Sequence, residues 1–303
     1  SQNIRDMDMG FNNMDWNVDY RKTSKKEGEE LSVSAQLSRG RNTSDFTNRF
    51  VSEGIPDFTL IGGNTGKNNE YTLQTDYTYP FSKTTTLETG LKGIFRNIIS
   101  DYDQNAQDFD YDQNVGSAYG VLGFKLTKKI TAKAGLRAEY TKIDGLAGNI
   151  LPFKNDYFNL FPSLVLSQTL KGMTTVKVSY NRRIQRPSLF YLNPFRNESD
   201  IYNPMQGNPE LSPELSDNIE VGYSTYIKGS VINASVFYRN TKNVIESFIS
   251  PIVEDGVNKN LTSYTNVGTS QSYGFNVFGS YNPKPKWTLM ANFGMNTYDV
   301  SNA

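Results

Sequence analysis

The sequence predicts an all-β fold, an antiparallel up-and-down transmembrane β-barrel with about twelve strands in this chain. Three observations support this prediction. Apolar and polar residues alternate along most of the chain, which is the period of a β-strand. Short turns alternate with long connections, as in barrels that keep tight turns on one side of a bilayer. Several patterned runs reach the roughly 9–11 residues that a tilted strand needs to cross a membrane.

The predicted strands follow in chain order from their alternating faces. A first strand is expected around residues 16–20. The longest patterned runs come next, at residues 69–79, 86–97, 116–126, 131–141, 174–185 and 231–242, with further alternation at 219–224 and 287–298. In the run 86–97, Leu91 and Phe95 take one face, and Lys92 and Arg96 take the other. Strands of soluble proteins are shorter, at about 5–6 residues.

The connections between these strands fall into two groups. Short turns rich in Lys, Gly, Pro and Ser are expected at 23–30, 80–85, 127–130, 171–173, 228–230 and 283–286. Long loops are expected at 41–68, 99–112, 144–156, 186–214 and 249–260, after every second strand. This order places both chain ends on the long-loop side. We therefore expect the chain to be one section of a longer barrel.

Composition agrees with a barrel and excludes several other classes. Mean hydropathy is only -0.56 although aromatic residues reach 13%, as expected when only every second residue faces lipid. The net charge is +0, which does not favour a nucleic-acid partner, and the absence of His and Cys excludes catalysis by Ser–His or Cys–His pairs. A soluble β-sandwich or β-solenoid would alternate in the same way and is the alternative fold.

Aromatic residues lie close to the predicted turns. They include Tyr77, Tyr79, Phe81, Tyr180, Tyr223, Tyr226, Tyr281 and Trp287. This placement is typical of the girdles at the two membrane interfaces, where a ring meets both lipid and water. Tyr is also common in strands generally, and that preference alone explains its number.

The loop 186–214 differs from the other long connections. It contains prolines at 187, 194, 204, 209 and 213, so we expect it to be neither strand nor helix. Its aromatic residues are too apolar for a freely solvated loop and should pack on another loop, on the barrel mouth or on a ligand. The candidate ligand-binding residues are Phe190, Tyr191, Phe195, Arg196 and Tyr202.

The same loop carries a resemblance to a known family. Residues 181–187, with two consecutive arginines and Gln-Arg-Pro, precede Leu-Asn-Pro-Phe at 192–195 and Gly-Asn-Pro-Glu-Leu-Ser-Pro-Glu at 207–214. This order resembles TonB-dependent receptor barrels, and is most similar to the outer-membrane β-barrel group of Bacteroidetes that includes SusC-like receptors. Residues 266–275 resemble the strand that often follows in that family.

The resemblance implies a 22-stranded barrel in the cell outer membrane that takes up a nutrient with energy relayed by TonB. Its partners would be outer-membrane lipid, a nutrient ligand (glycan, peptide or siderophore), the TonB complex and a surface lipoprotein. No plug or TonB box precedes the strands, so we expect residues 1–303 to be a single mid-barrel section of such a receptor. A non-transporting surface, adhesion or assembly barrel is the alternative function. An outer-membrane enzyme is disfavoured because the chain has no His.

Two further groups of side chains are candidate sites. Asp101, Asp103 and Asp108 place oxygen ligands in one loop, so they form a weak calcium candidate. A solvated acidic loop is the alternative, and no other cofactor is expected. Charged residues on the polar faces of the strands are expected to line the lumen and to form a structural lattice of ion pairs; they include Glu88, Lys92, Arg96, Arg137 and Glu139.

Overall fold

A computed structural model describes residues 2–52, 55–103, 108–148, 151–194, 196–198, 200, 202–227, 229–254, 256–284 and 286–301. These residues form one fifteen-stranded sheet and one short helix. The elements are β1 (Gln2–Thr23), β2 (Glu30–Ser52), β3 (Ile55–Pro80), β4 (Thr85–Tyr102), β5 (Phe109–Lys125), β6 (Ile130–Ala147), β7 (Leu151–Thr169), β8 (Thr175–Gln185), α1 (Leu189–Leu192), β9 (Arg196–Asn197), β10 (Met205–Gln206), β11 (Glu214–Ile227), β12 (Ser230–Glu254), β13 (Val257–Lys284), β14 (Trp287–Asn296) and β15 (Asp299–Ser301).

The long strands follow one another in the sheet in their chain order. The order is β1 to β8, then β11, β12 and β13, and β14 and β15 both pair with β13. All of these pairs are antiparallel. The predicted all-β, up-and-down arrangement is therefore confirmed. Within the described residues the sheet is open, because β1 pairs only with β2 and β14 only with β13.

The short turns lie where the sequence predicts them. The four turns that are described throughout are residues 24–29, 81–84, 126–129 and 170–174, within a residue or so of the predicted bounds. The other two connect β11 to β12 and β13 to β14. Gly28 and Gly172 adopt φ values of 81° and 72°, a left-handed conformation that glycine tolerates and that tight turns use.

The prediction of five long loops is wrong for four of them. Strand pairing continues through the described residues of 41–68, 99–112, 144–156 and 249–260, as far as Ser52↔Ile55, Ser100↔Phe109, Ala147↔Leu151 and Glu254↔Val257. These hairpin ends lie beyond the upper aromatic residues, where a strand no longer needs an apolar outer face. In 41–44 polar residues occupy both faces, so the alternation that reveals a strand in the membrane is lost.

The outward face carries an exposed apolar band. Leu73, Leu91, Leu136 and Val236 are 56%, 64%, 51% and 56% exposed. No second sheet or helical layer covers these side chains in the part of the chain that the structure describes. The helix that is present is too short to cross a membrane. Among the described residues this face is therefore uncovered, as the expected contact with hydrocarbon requires.

Two rows of aromatic residues border this band. The row nearer the short turns includes Tyr77, Tyr79, Tyr223, Tyr281 and Trp287, and the row nearer the long hairpins includes Tyr71, Phe95, Tyr140, Phe158, Tyr180, Tyr238 and Tyr273. Both rows project on the same face as Leu73 and Leu91, as strand register requires. The sequence identified the first row almost completely, but only Tyr180 of the second.

The buried core lies on the inner face of the sheet, at its long-hairpin end. Its members are Phe109, Tyr111, Ile143, Leu192, Leu211 and Tyr264, each at most 7% exposed. Three of these residues come from β5 and β6, one comes from β13, and two come from residues between β8 and β11. The core therefore marks the place where the chain between β8 and β11 packs inside the barrel wall.

Candidate functional site at the mouth of the barrel

The connection from β8 to β11, residues 186–213, is here called the bridging segment. It contains α1, β9 and β10, so the expectation that it holds neither strand nor helix is wrong. These elements are only four, two and two residues long. Prolines before and between them keep each one short, since proline lacks a backbone donor and fixes φ. The segment folds inward instead of rising as a hairpin.

The bridging segment pairs with the free upper edge of β13. Met205 of β10 lies parallel to Thr262, and the Thr262 amide donates to the Pro204 carbonyl at 2.9 Å. The Asn260 amide donates to the Tyr202 carbonyl at 2.8 Å. β14 covers β13 only from Gly274 to Lys284, which leaves the upper part of that edge for β10. The segment thus reaches past β11 and β12 to a third strand.

Apolar side chains fix the segment against the inner wall on the opposite side. Leu192 and Leu211 are each 2% exposed and pack with Phe109, Tyr111 and Ile143. Full burial of one leucine side chain is worth about 1.5–3 kcal/mol. Burial also raises the pKa of Tyr111 to about 12, so this phenol stays neutral at physiological pH. The segment therefore spans the mouth between β5–β6 and β13.

The Gly-Asn-Pro motif has a structural role in this arrangement. The Gly207 amide donates to the Asn193 carbonyl at 2.8 Å, and the Asn208 amide donates to the Tyr191 carbonyl at 2.7 Å. A Cβ at position 207 would lie 2.7 Å from that Tyr191 oxygen and closer still to the Asn193 oxygen, so only glycine fits. The Asn208 side chain donates to the Tyr264 carbonyl at 3.1 Å.

The end of the motif fastens the segment to β12 and β13. The Glu214 carboxylate accepts a hydrogen bond from the Ile245 amide at 2.7 Å. Asn266 binds Ser212 twice, because its side-chain oxygen accepts from the Ser212 amide at 2.8 Å and its side-chain nitrogen donates to the Ser212 carbonyl at 2.9 Å. The residues that carry the family resemblance are thus the ones that shape the bridging segment.

The candidate aromatic residues divide into two groups. Phe190, Tyr191 and Tyr264 form a cluster with ring centroids 4.6–5.8 Å apart. Phe190 is nevertheless 57% exposed, and Tyr202 is 58% exposed. Both rings are therefore open to a ligand at the mouth, whereas Tyr191 is half-buried. Phe195 lies outside the described residues.

Arg196 forms ion pairs within the protein. Its Nη1 lies 2.5 Å from Glu254 Oε1, and its Nε lies 3.3 Å from Glu198 Oε1. Lys259 Nζ lies 3.1 Å from the other Glu254 oxygen. The hydrogen bond from Arg196, followed by that from Lys259, lowers the pKa of Glu254 below its ordinary value of 4.5. Arg196 thus joins β9 to the top of β12, and its guanidinium is engaged in ion pairs within the protein.

The charged residues predicted to line the lumen lie on the inner face, and most are paired. Glu88 contacts Lys133 at 2.7 Å, and Arg96 Nε donates to Glu70 at 2.7 Å. Glu139 is 4% exposed and lies 2.6 Å from Arg137. It also contacts Arg186, the first residue of the bridging segment. Lys92 has no ion-pair partner among the described side chains. These contacts support the ion-pair lattice that the sequence suggested.

A cavity of about 360 Å³ lies on the inner wall below the bridging segment. Leu189 closes it on one side. Its lining is mainly neutral and polar, and includes Asn13, Gly40, Asn42, Ser44, Asn64, Gly66, Asn68 and Ser100. Ile98, Ile99 and Lys67 also line it, and the strand position of Lys67 directs its side chain outward. Strand register brings these residues together, through the pairs Asn13↔Gly40, Gly40↔Asn68 and Gly66↔Ser100. Amide and hydroxyl groups in this number can hydrogen-bond an uncharged polar ligand.

The three calcium candidates do not come together in the described structure. Asp101 pairs with Lys67 at 2.9 Å, and the Asp108 side chain accepts from the Tyr102 amide at 2.9 Å. The Asp103 amide donates to the Gly63 carbonyl at 3.1 Å. No group of three acidic residues suited to a metal ion occurs among the described residues. Residues 104–107 of the same loop lie outside them, so calcium binding stays a prediction.

Sequence reasoning missed the partners of the bridging segment. Tyr264, Phe109 and Tyr111 lie 53 or more residues from both Tyr191 and Leu211 along the chain, and no local pattern connects them. The lining of the cavity was missed for a different reason. Gly40, Asn42 and Ser44 share one face of β2, but Arg41 and Thr43 between them are also polar, so no alternation marks that face.

Comparison with known proteins gives a match to a protein family. Residues 22–303 match the model of the outer membrane protein beta-barrel family. The ferric enterobactin receptor of Pseudomonas aeruginosa is 32% identical over 105 residues, which cover 31% of this chain and 14% of that protein. The match to the family model therefore covers far more of the chain than the match to this receptor.

Solved structures share the fold. The copper transporter OprC matches with a TM-score of 0.72 and 15% identity, over 98% of this chain and 48% of that one. The siderophore receptor PirA from Pseudomonas aeruginosa matches with a TM-score of 0.63 and 16% identity, over 96% of this chain and 57% of that one. The chain thus spans about half the length of these structures. At such low sequence identity the structural similarity shows only that the fold is shared.

Proposed function

Because the chain belongs to the outer membrane protein beta-barrel family, we propose that it is part of a receptor that binds a nutrient at the cell surface and takes it up through the barrel in a TonB-dependent manner. The protein is located in the outer membrane. The fold of receptors and transporters for copper and siderophores supports this proposal. The proposal further includes contact with the TonB complex and a surface lipoprotein, membership of the SusC-like group of Bacteroidetes, and no enzymatic activity.

The observation that carries the proposal is the inward fold of the bridging segment. The segment packs on β5–β6 and pairs with β13 inside the mouth, where a ligand entering the barrel would pass. This segment places Phe190 and Tyr202 on the path between the outside and the lumen, with both rings exposed. Exposed aromatic rings on a well-anchored segment suit recognition of a ligand that stacks or packs.

The lining of the lumen narrows the chemistry of the ligand. The cavity beneath Leu189 offers the side-chain amides of Asn13, Asn42, Asn64 and Asn68. The ion-paired residues Glu70 and Arg96 lie at other inner positions and neutralise each other. A ligand with hydroxyl or amide groups therefore fits this wall better than a strongly charged one. Glycan, peptide and siderophore are the classes to be compared.

Ligand binding by the complete receptor tests the proposal. Labelled oligosaccharides, peptides and ferric siderophores would be offered to cells that carry the unaltered receptor or a Phe190→Ala, Tyr202→Ala variant. Each aromatic contact is worth about 0.5–1.5 kcal/mol, so the double variant should bind the preferred ligand roughly five- to 150-fold more weakly. Deletion of TonB should abolish accumulation inside the cell and leave surface binding intact.

A matched aromatic change on the lipid face provides the control. Tyr281→Ala removes a ring that is 59% exposed and lies in the row near the short turns, and it should leave ligand affinity unchanged. Equal binding by the unaltered receptor and the double variant would contradict a role for the bridging segment. Binding without any TonB-dependent accumulation would instead identify a surface protein that does not transport.

A further inference from the structure

A basic patch lies on the outer face of β2 and β3, just beyond the upper row of aromatic residues. Tyr71 belongs to that row and pairs with Leu37. Two positions further from the short turns, Arg39 pairs with Asn69, and two positions beyond these, Arg41 pairs with Lys67. Because side chains alternate along a strand, all of these residues project to the same outward side. Arg39, Arg41 and Lys67 are exposed.

The partners of these three cations leave the patch positive. Lys67 Nζ lies 2.9 Å from Asp101 Oδ2, in a pair whose side chains are 45% and 47% exposed. Arg39 Nη2 donates to the Tyr71 hydroxyl at 3.2 Å. Arg41 has no acidic partner among the described residues. Three cations and one carboxylate give a charge of +2 on the outward surface of β2 to β4, where Asn69, Asn97 and Ile99 are uncharged. The next carboxylates, Asp110 and Asp112, lie on β5 and each accept a hydrogen bond from Asn97 at 3.1 Å.

The strand register makes this arrangement of cations electrostatically unfavourable unless an anion neutralises it. Arg41 and Lys67 are a direct cross-strand pair, and directly opposed like charges destabilise a sheet. The outward surface of β6 and β7 at a similar level differs, since Lys142 and Lys154 there both contact Asp144, at 2.8 Å and 3.9 Å. The positive excess is therefore particular to the β2–β3 surface and does not follow from its level alone.

We propose that Arg39, Arg41 and Lys67 bind the phosphate groups of a phosphorylated lipid in the outer leaflet. The position fits, because the patch follows directly after an aromatic girdle and so lies at the level of the lipid headgroups. Long hairpins mark the extracellular side of such barrels. The chemistry also fits, since guanidinium and ammonium groups are the usual partners of phosphate in proteins. The lipid would relieve the repulsion between Arg41 and Lys67. This inference is independent of the nutrient that the barrel takes up.

Lipid binding by the complete protein tests this inference. Nanodiscs of phosphatidylcholine that contain a small fraction of lipid A would hold either the unaltered protein or an Arg41→Gln, Lys67→Gln variant. Native mass spectrometry would then count the lipid A molecules retained on the protein. Each cation near an anionic lipid surface strengthens binding about fivefold, so loss of two cations should weaken retention roughly 25-fold.

Several control arms make the outcome decisive. A Lys142→Gln, Lys154→Gln variant removes the same charge from β6–β7 and should retain lipid A normally. An Arg41→Lys, Lys67→Arg variant keeps both charges and should also retain it, which separates lost charge from impaired folding. Dephosphorylated lipid A should bind the unaltered protein weakly. Equal retention by the Arg41→Gln, Lys67→Gln variant, or full displacement of lipid A by millimolar inorganic phosphate, would overturn the proposal.

Discussion

At Gly207 the bridging segment passes very close to its own backbone. An added Cβ would lie 2.7 Å from the Tyr191 oxygen and 2.8 Å from the Asn193 nitrogen, and backbone atoms cannot move aside without breaking the local hydrogen bonds. We predict that Gly207→Ala destabilises the docked segment by about 1–3 kcal/mol. Hydrogen exchange of amides in residues 189–211 should accelerate by roughly five- to 150-fold.

Gly120→Ala is the matched control for this substitution, because a Cβ at position 120 would meet nothing within 4 Å. Exchange in residues 189–211 should stay unchanged in that variant. An unchanged exchange rate in Gly207→Ala would show that the segment tolerates a wider path than the one described.

Glu254 makes the attachment of β9 sensitive to acid. Hydrogen bonds from Arg196 and then Lys259 lower the pKa of this carboxylate below 4.5 in the folded protein. A lowered folded-state pKa means that the contact contributes its full stability above the ordinary value and loses it as pH falls through the lowered value. We predict that exchange around residues 196–206 accelerates in that acidic window. Glu254→Gln should exchange faster at neutral pH and lose most of the pH dependence.

At the scale of single elements, the outer ends of the hairpins should be dispensable for assembly. Beyond Arg41 and Lys67 the outer faces of β2 and β3 lie above the level of the lipid headgroups, so these residues bury little apolar surface on the lipid side. Replacement of residues 45–63 by Asn-Gly would close the hairpin at the Ser44↔Asn64 pair with a favoured two-residue turn. We predict that the barrel still assembles, with its heat-modifiable mobility on gels preserved.

Deletion of Val33 alone is the contrasting change in the same strand. A shift of one residue reverses the faces of a strand, so Leu31 would turn from the lipid side to the lumen. This variant should fail to assemble, although it lacks far fewer residues. Failure of the shortened hairpin with success of the single deletion would contradict the assignment of faces.

The elements that the sequence predicts well are those in the bilayer. Alternation along 86–97 or 131–141 gives both the strand and its faces, because one side must be apolar and the other wet. It fails along 41–68, where Arg41, Asn42, Thr43 and Ser44 are all polar and no contrast between faces remains. Strand pairing continues there because each backbone amide needs a partner that the neighbouring strand supplies.

At the scale of the whole molecule, lipid on one side and water on the other should decide which charges are tolerated. Leu91 projects outward and is 64% exposed within the apolar band. We predict that Leu91→Arg destabilises the assembled protein by about 2–4 kcal/mol, the cost of such a charge near the bilayer midplane. The amount of assembled protein in the membrane and its thermal midpoint in detergent would both fall.

Ser117→Arg supplies the inward control. Ser117 pairs with Lys92 and with Glu139 across its two neighbouring strands, so its side chain shares the wet inner face with them. A guanidinium there meets water, with the Lys92 ammonium on one neighbouring strand and the Glu139 carboxylate on the other. The repulsion and the attraction oppose each other, so stability should change little. Equal damage by both substitutions would mean that the two faces are not solvated differently.

The candidate site was predictable only in part at this scale. Pro187 and Pro194 and the aromatic residues marked the segment 186–214 as unusual, and its packing on the mouth was among the expected outcomes. Its partners could not be predicted, because Phe109, Ile143 and Tyr264 meet Leu192 and Leu211 only through the curvature of the sheet. Arg196 illustrates the difference between sequence and structure. The sequence suggested that it contacts a ligand, and in the structure its guanidinium pairs with Glu254.

The pairing of β10 with the edge of β13 relies on main-chain groups of Tyr202, Pro204, Asn260 and Thr262. Hydrogen bonds between main-chain groups do not depend on the identity of the neighbouring side chains. Mutations at positions such as Tyr202 can therefore accumulate over generations while the attachment persists. Descendants of this protein could therefore change the side chains that contact a ligand while the segment stays attached and the barrel still folds.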